Sequence, residues 1–388
     1  MIPAVKRAAL IALVAASTVV TTACSLFDTT PDHLKPMQLE SFERSAKLKR
    51  VWSSGVGASQ DVRYVRMSIG TDGETLFASD IKGQVNAFNR FNGKRLWRTD
   101  LDQNLSAGVG VGSGIALLGS YSGEVIALNS DSGAELWRTQ LSSEILSAPQ
   151  SNGKYVAVQT QDSKVYGLDA ITGEQLWHYE NPMPKLTLRG TAAPVITDTA
   201  VYAGFSNGKL MAFNPANGLL LWEKRIASSK GRTDLEKVVD IDGTPQLVDS
   251  ILYVASLNGR VTAVSRGDGR PLWAKDASSH QPVAVSGGLL FLSTANDEVL
   301  AYQASSGLEL WQNDQLQRRT ITGPQVLGNY VAVVDFEGYL HLLNKSDGGF
   351  AYRTKVDGNG VNAAMVSIDD LLYVLGNNGN LMAYKIVD

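Results

Sequence analysis

Asn86 to Trp97 reads NAFNRFNGKRLW: a short alternating run, a glycine turn, and a second run ending in tryptophan. Such a run–turn–run is the sequence form of a β-hairpin, with glycine supplying the positive φ of the turn. The same form returns as IALNSDSGAELW, ending at Trp137, and as YGLDAITGEQLW, ending at Trp177. It returns again at Trp222, Trp273 and Trp311, and in a worn copy, HLLNKSDGGFAY, at Tyr352. Four residues before each aromatic stands a glycine: Gly93, Gly133, Gly173, Gly218, Gly269, Gly307 and Gly348. Ten residues before that glycine there is usually another, with Ser163 and Asp297 as exceptions. A single match would mean little, but seven in register mark a repeat architecture.

Between aromatics the spacing fits four short strands. In residues 101–137 these are a weak strand near Gly108–Val111, then Ile115–Ser120, Glu124–Asn129 and Ala134–Thr139. The third strand pairs an aliphatic residue with a small one two places on, as in Val85/Ala87, Val125/Ala127 and Val261/Ala263. Spacing of two puts both on one face, where the small residue is expected to let neighbouring sheets approach. The tryptophan falls on the outer strand, where it can cover the joint between sheets. The ends of the chain complement each other. LKRVW, ending at Trp52, has a tryptophan without a preceding glycine turn, and GNLMAYKIVD stops without its tryptophan strand. An outer strand from the N-terminus would complete inner strands from the C-terminus, which closes a ring and serves no purpose in an open solenoid. The aromatic positions are Trp52, Trp97, Trp137, Trp177, Trp222, Trp273, Trp311 and Tyr352. The expected fold is therefore all-β: an eight-bladed β-propeller of four-stranded antiparallel blades.

Composition suits this. Hydrophobic residues form 44% of the 388 and charged residues 19%, enough for a large core. The net charge of −3 offers no basic footprint, so no nucleic-acid partner is expected. The only cysteine, Cys24, excludes an internal disulfide, and the four histidines are scattered without metal-binding spacing. Residues 1–23 read as a signal peptide: Lys6 and Arg7, an uncharged apolar run from Ala8 to Val20, then Thr21, Thr22 and Ala23 before Cys24. The run is short for a membrane span. TTAC resembles a bacterial lipobox, with Thr21 standing where leucine is usual, so Cys24 is the expected lipidation site. Loss of residues 1–23 removes Lys6 and Arg7 and no acid, shifting the charge to −5. Residues 24–42, with Pro31 and Pro36, read as a lipidated cysteine and flexible tether, and 43–388 as the propeller.

Repeats reveal function where they break. From aromatic to the next hairpin position the regular copies take 26 residues, as from Trp97 to Gly123 and from Trp137 to Ser163. From Trp177 to Gly208 it is 31, and from Trp222 to Gly259 it is 37. These consecutive insertions should be neighbours, on the face opposite the Asp-Ser-Gly turns. The first contains PMPKLTLRG, Pro182–Gly190, and the second SSKGRTDLEKVVDIDGTP, Ser228–Pro245. Leu186 and Leu188 beside Arg189, with Asp240 and Asp242 opposite, form a candidate protein-binding patch. The alternatives are leucines tucked onto the rim and acids that are solvated or hold calcium. No D-x-D-x-D-G series supports the calcium reading.

Over its whole length the chain resembles the BamB family, outer-membrane lipoproteins of the β-barrel assembly machinery with repeats of the pyrroloquinoline-quinone (PQQ) enzyme kind. The resemblance rests on TTAC, the eight aromatic repeats, LTLRG at Leu186–Gly190 and DIDGTP at Asp240–Pro245. It implies a non-catalytic scaffold without cofactor, anchored by lipid to the periplasmic face of the outer membrane. The implied partner is the POTRA domains of BamA, the barrel-inserting subunit, with unfolded barrel proteins as further clients. Leu186, Leu188 and Arg189 would form the contact, and Asp240 and Asp242 would orient Arg189 or touch the partner. Two other readings compete. PQQ-dependent dehydrogenases share the architecture but typically carry a calcium ion, a catalytic aspartate and often a vicinal disulfide in the channel. An envelope module binding another protein or a polysaccharide would want exposed aromatics, and most tryptophans here belong to the repeat.

Overall fold

The structure, a computed structural model, describes residues 34–58, 67–188, 190–228 and 232–387. The leader, Cys24 and Arg189 lie outside the described residues. Eight antiparallel sheets of four strands follow one another along the chain. Each runs from a short first strand to an outer fourth strand, as in blade 2: Gly110–Gly112, Ile115–Gly119, Glu124–Asn129 and Glu135–Gln140. The first strands crowd together at the axis. A Cβ on Gly110 would strike the carbonyl oxygen of Pro149, which leads into the first strand of blade 3. The core lies between blades: Ile115, Leu117, Val125 and Trp137 of blade 2 pack with Val156, Val158 and Leu168 of blade 3. The chain is thus an eight-bladed propeller. Blade 8 closes it, because Lys47–Gly55 pairs antiparallel with the C-terminal strand Asn380–Val387.

The joint between blades is more specific than the repeat alone suggests. Each tryptophan donates its indole N–H to a carbonyl in the next blade. Trp52 reaches Arg90 at 2.9 Å, Trp137 reaches Ala170 at 3.0 Å and Trp311 reaches Lys345 at 2.9 Å. Beneath that turn the glycine of the next blade lies on the indole. A Cβ on Gly173 would come within 2.5 Å of Trp137 Cε3, and its φ of +74° already disfavours a side chain. Where serine or threonine stands two residues beyond the tryptophan, it bonds the same glycine's carbonyl, as Thr139 does to Gly173 at 2.6 Å.

The small residue of the third strand lies in the core between blades, as Ala127 does, and also has a partner in its own sheet. It stands opposite the tryptophan of its own blade: Ala127 faces Trp137, Gly167 faces Trp177, and Ala383 faces Trp52. It makes room for the indole within the sheet. Blade 7 departs from the pattern in both partners, with Leu342 facing Tyr352. The cause is the ring closure. The third and fourth strands of blade 8 are opposite ends of the chain, so no glycine turn joins them for an indole to cover.

The second-to-third turns keep a left-handed residue even without glycine. Ser163 has φ +66° and Asp297 φ +63°. In blade 5 the left-handed residue is Asn258, φ +47°, rather than Gly259.

Candidate interaction site

The antiparallel order puts every fourth-to-first connection on the face that carries the second-to-third turns. Residues 181–194 join blades 3 and 4, and residues 226–245 join blades 4 and 5. They meet through two hydrogen bonds, one of them to a buried acid. The Leu188 backbone N–H donates to Asp240 Oδ2 at 2.6 Å, and Ala193 N–H to Thr244 Oγ1 at 3.2 Å. The backbone around Asp240 is itself fixed. Its carbonyl accepts from Leu257 N–H at 3.0 Å, and Ile241 N–H reaches the Phe205 carbonyl at 3.4 Å. The tip of the second connection is tied down from blade 5, where Asn258 Nδ2 donates to the carbonyls of Leu235 at 3.0 Å and Val238 at 3.1 Å. Its left-handed backbone turns the side chain that glycine would lack.

The two acids differ in kind. Asp240 has no solvent-accessible surface, whereas Asp242 is half-buried. Burial, reinforced by the charge of Asp242, raises the Asp240 carboxyl to about 7 against the pull of the Leu188 N–H. Its Oδ1 has no hydrogen-bond partner among the described residues. Asp240 therefore supports the loop from beneath and has no surface to offer a partner.

Above it the leucines are open: Leu186 is 44% exposed and Leu188 36%. Met183 at 51% and Leu235 at 72% extend the exposed apolar side chains of these connections. Neither stands in an alternating run: Met183 lies between Pro182 and Pro184, and Leu235 between Asp234 and Glu236. Leu188, Gly190 and Asp242 also line the mouth of the central channel, a cavity of about 710 Å³. Apolar side chains such as Ile196, Val283 and Met365 share the rest with hydroxyls and amides such as Thr191, Thr244 and Gln281, and among the described residues its titratable lining side chains are Asp242 and His280. One further connection is long by the same measure. Trp52 to Gly83 is 31 residues, as long as the first insertion. Its residues 59–66 lie outside the described residues.

The comparisons with known proteins agree with this architecture. The family model described as outer membrane protein assembly factor BamB matches residues 81–313 and 297–388. The outer membrane protein assembly factor BamB of Pseudomonas aeruginosa is 48% identical over 381 residues, covering 98% of this chain and 99% of that protein. The chain belongs to the BamB family. The crystal structure of BamB from Moraxella catarrhalis superposes with a TM-score of 0.79 at 27% identity, covering 87% of this chain and 100% of that one. A europium-containing methanol dehydrogenase superposes with a TM-score of 0.69 at 14% identity, over 87% of this chain and 93% of that one. That likeness shows the propeller fold alone. Within the BamB family, then, the long connections and the channel mouth are where this chain's surface departs from its own repeat.

Proposed function

We propose that the chain is a non-catalytic scaffold of the outer-membrane β-barrel assembly complex, held to the periplasmic face of the membrane by lipid on Cys24. Its loop face binds the POTRA domains of BamA, with Leu186, Leu188 and Arg189 in contact and Asp240 and Asp242 in support. The observation that carries this reading is the Leu188–Asp240 clasp, which holds two exposed leucines on a fixed platform. Apolar side chains already ordered before binding lose little entropy on docking, which makes them effective anchors. The role is one of orientation: the propeller holds the POTRA chain in a set direction while unfolded barrel proteins arrive. Among the described residues, no three His, Cys, Asp or Glu side chains converge as a metal site.

Crosslinking from position 186 in intact cells, with identification of the captured protein, tests this directly. Capture of BamA supports the reading; consistent capture of another envelope protein, or of none, contradicts it. The channel-enzyme alternative predicts saturable binding of PQQ with calcium and reduction of a dye.

A further inference from the structure

Residues 35–46 do not hang free. They climb blade 7 from the loop face to the opposite face before turning back as the outer strand of blade 8. Three consecutive clamps hold the backbone. Arg318 Nε–H donates to the Lys35 carbonyl at 2.6 Å, Arg319 Nη1 to Met37 at 2.9 Å, and Arg353 Nη1 to Glu40 at 2.8 Å. Met37 N–H returns a bond to the Gln317 carbonyl at 3.1 Å. Phe42 then stacks on Phe350 at 5.4 Å, with the Arg353 guanidinium 5.0 Å from each ring. Arg44 lies over Tyr352 at 5.2 Å, and the Ser45 and Ala46 amides share the Ala351 carbonyl.

The clamps are braced from within the blade. Arg319, only 4% exposed, pairs with Asp335 Oδ2 at 2.8 Å and with Glu337. His341 Nε2 meets the same Asp335 oxygen at 3.0 Å, and Arg353 Nε donates to His341 Nδ1 at 3.0 Å. A guanidinium only donates, so His341 Nδ1 accepts, and the imidazole is neutral with its proton on Nε2 toward Asp335. Burial and the flanking arginines keep His341 below its ordinary value. Burial alone would raise Asp335, but the bonds from His341, Tyr339 and Arg319 prevail and hold it below the usual range. This buried network holds Arg319 and Arg353 in place from within the blade. Because the arginines grip carbonyls, the strap is recognised by its path more than by its side chains.

We propose that this strap fixes the point at which the N-terminal segment leaves the propeller, on the loop face beside blade 7, and so turns that face toward the membrane. The exit point follows from the 314–324 connection, which lies on the same face as residues 181–194 and 226–245. The membrane consequence rests on the lipid reading of Cys24. Leu34 lies ten positions after Cys24, a contour of at most about 36 Å. The leash thus bounds how far the exit point beside blade 7 can stand from the bilayer surface.

Spin-label distances test the strap apart from the lipid. In the unlipidated Cys24→Ser chain, labels at Leu34→Cys and Asn296→Cys, on the loop face, should give a short, single-peaked distance distribution. Leu34→Cys with Ile171→Cys, on the opposite face, should give a long one. Phe42→Ala should broaden both. Broad distributions in the unaltered strap overturn the proposal. The lipidated chain, labelled singly at position 296 or 171, is then bound to vesicles carrying a nickel-chelating lipid. Faster relaxation at 296 than at 171 supports the orientation, and equal relaxation overturns it. Failure of the lipidated protein to float with vesicles refutes the lipid anchor, and the membrane consequence with it, while the distances still judge the strap.

Discussion

Two inter-blade contacts in this molecule work in opposite ways. The Trp137–Gly173 joint is an apolar lock: an indole on a glycine, one hydrogen bond to Ala170, and a threonine bond beside it. Variants of it occur at seven of the eight joints. The Leu188–Asp240 junction occurs once, depends on a buried carboxylate, and carries exposed leucines above it. The difference separates what makes the ring from what the ring presents. Repeated contacts are built from neutral groups, titrate nothing and can be lost only at the expense of the fold. The single contact is polar, titratable and placed to govern a surface.

Each half of the comparison can be broken separately. The largest effect is expected at the joint: Trp137→Ala should destabilise the protein by about 3–5 kcal/mol, read by chemical denaturation. A loss below about 1 kcal/mol would show that neighbouring side chains collapse into the space. The pH dependence of the junction comes next. The folded-state value of Asp240, about 7, lies above its ordinary 3.8. Between those pH values the folded chain holds a proton that the unfolded chain has lost. Stability from this group is therefore full below pH 4, falls as pH rises to 7 and is flat above. At about 1.4 kcal/mol per pH unit, the loss is bounded at roughly 4 kcal/mol. Asp240→Asn should remove that slope, and an unchanged slope in the variant would assign it elsewhere.

Gly173→Ala should cost about 1–2 kcal/mol for its left-handed backbone alone, with a further penalty from the indole beneath. Gly114→Ala, equally left-handed at φ +85° but with nothing within 4 Å of its Cβ, isolates the backbone share. Equal losses at the two sites would remove the indole from the account. Tyr352 covers no glycine turn, so Tyr352→Ala should cost less than Trp137→Ala, about 1–2 kcal/mol. A loss equal to that at Trp137 would refute the explanation given for the worn copy in blade 7.

The ring was legible because its signal is redundant. Glycine spacing gave the turns, aromatic spacing gave the number of blades, and Trp52 with the unfinished C-terminal repeat gave the closure. The partner of each element was not legible. That Ala127 faces its own blade's tryptophan, and that Gly173 covers the previous blade's, are contacts at sequence separations which no local pattern records. At the site, length irregularity located the two connections, and LTLRG and DIDGTP named their residues. Spacing could not distinguish buried Asp240 from half-exposed Asp242, since alternation puts both on one side of an extended chain while burial depends on blade 5. The strap was equally hidden. Pro36 and mixed polar residues suggest a linker, while its recognition resides in Arg318, Arg319 and Arg353, far along the chain.

The separation of ring from surface is tested most directly by the Leu186→Ala, Arg189→Ala double variant, with BamA capture and melting temperature measured on the same preparation. The account predicts that capture is lost while the melting temperature stays at the parent value. Loss of the fold along with capture, or full capture by the variant, would contradict it.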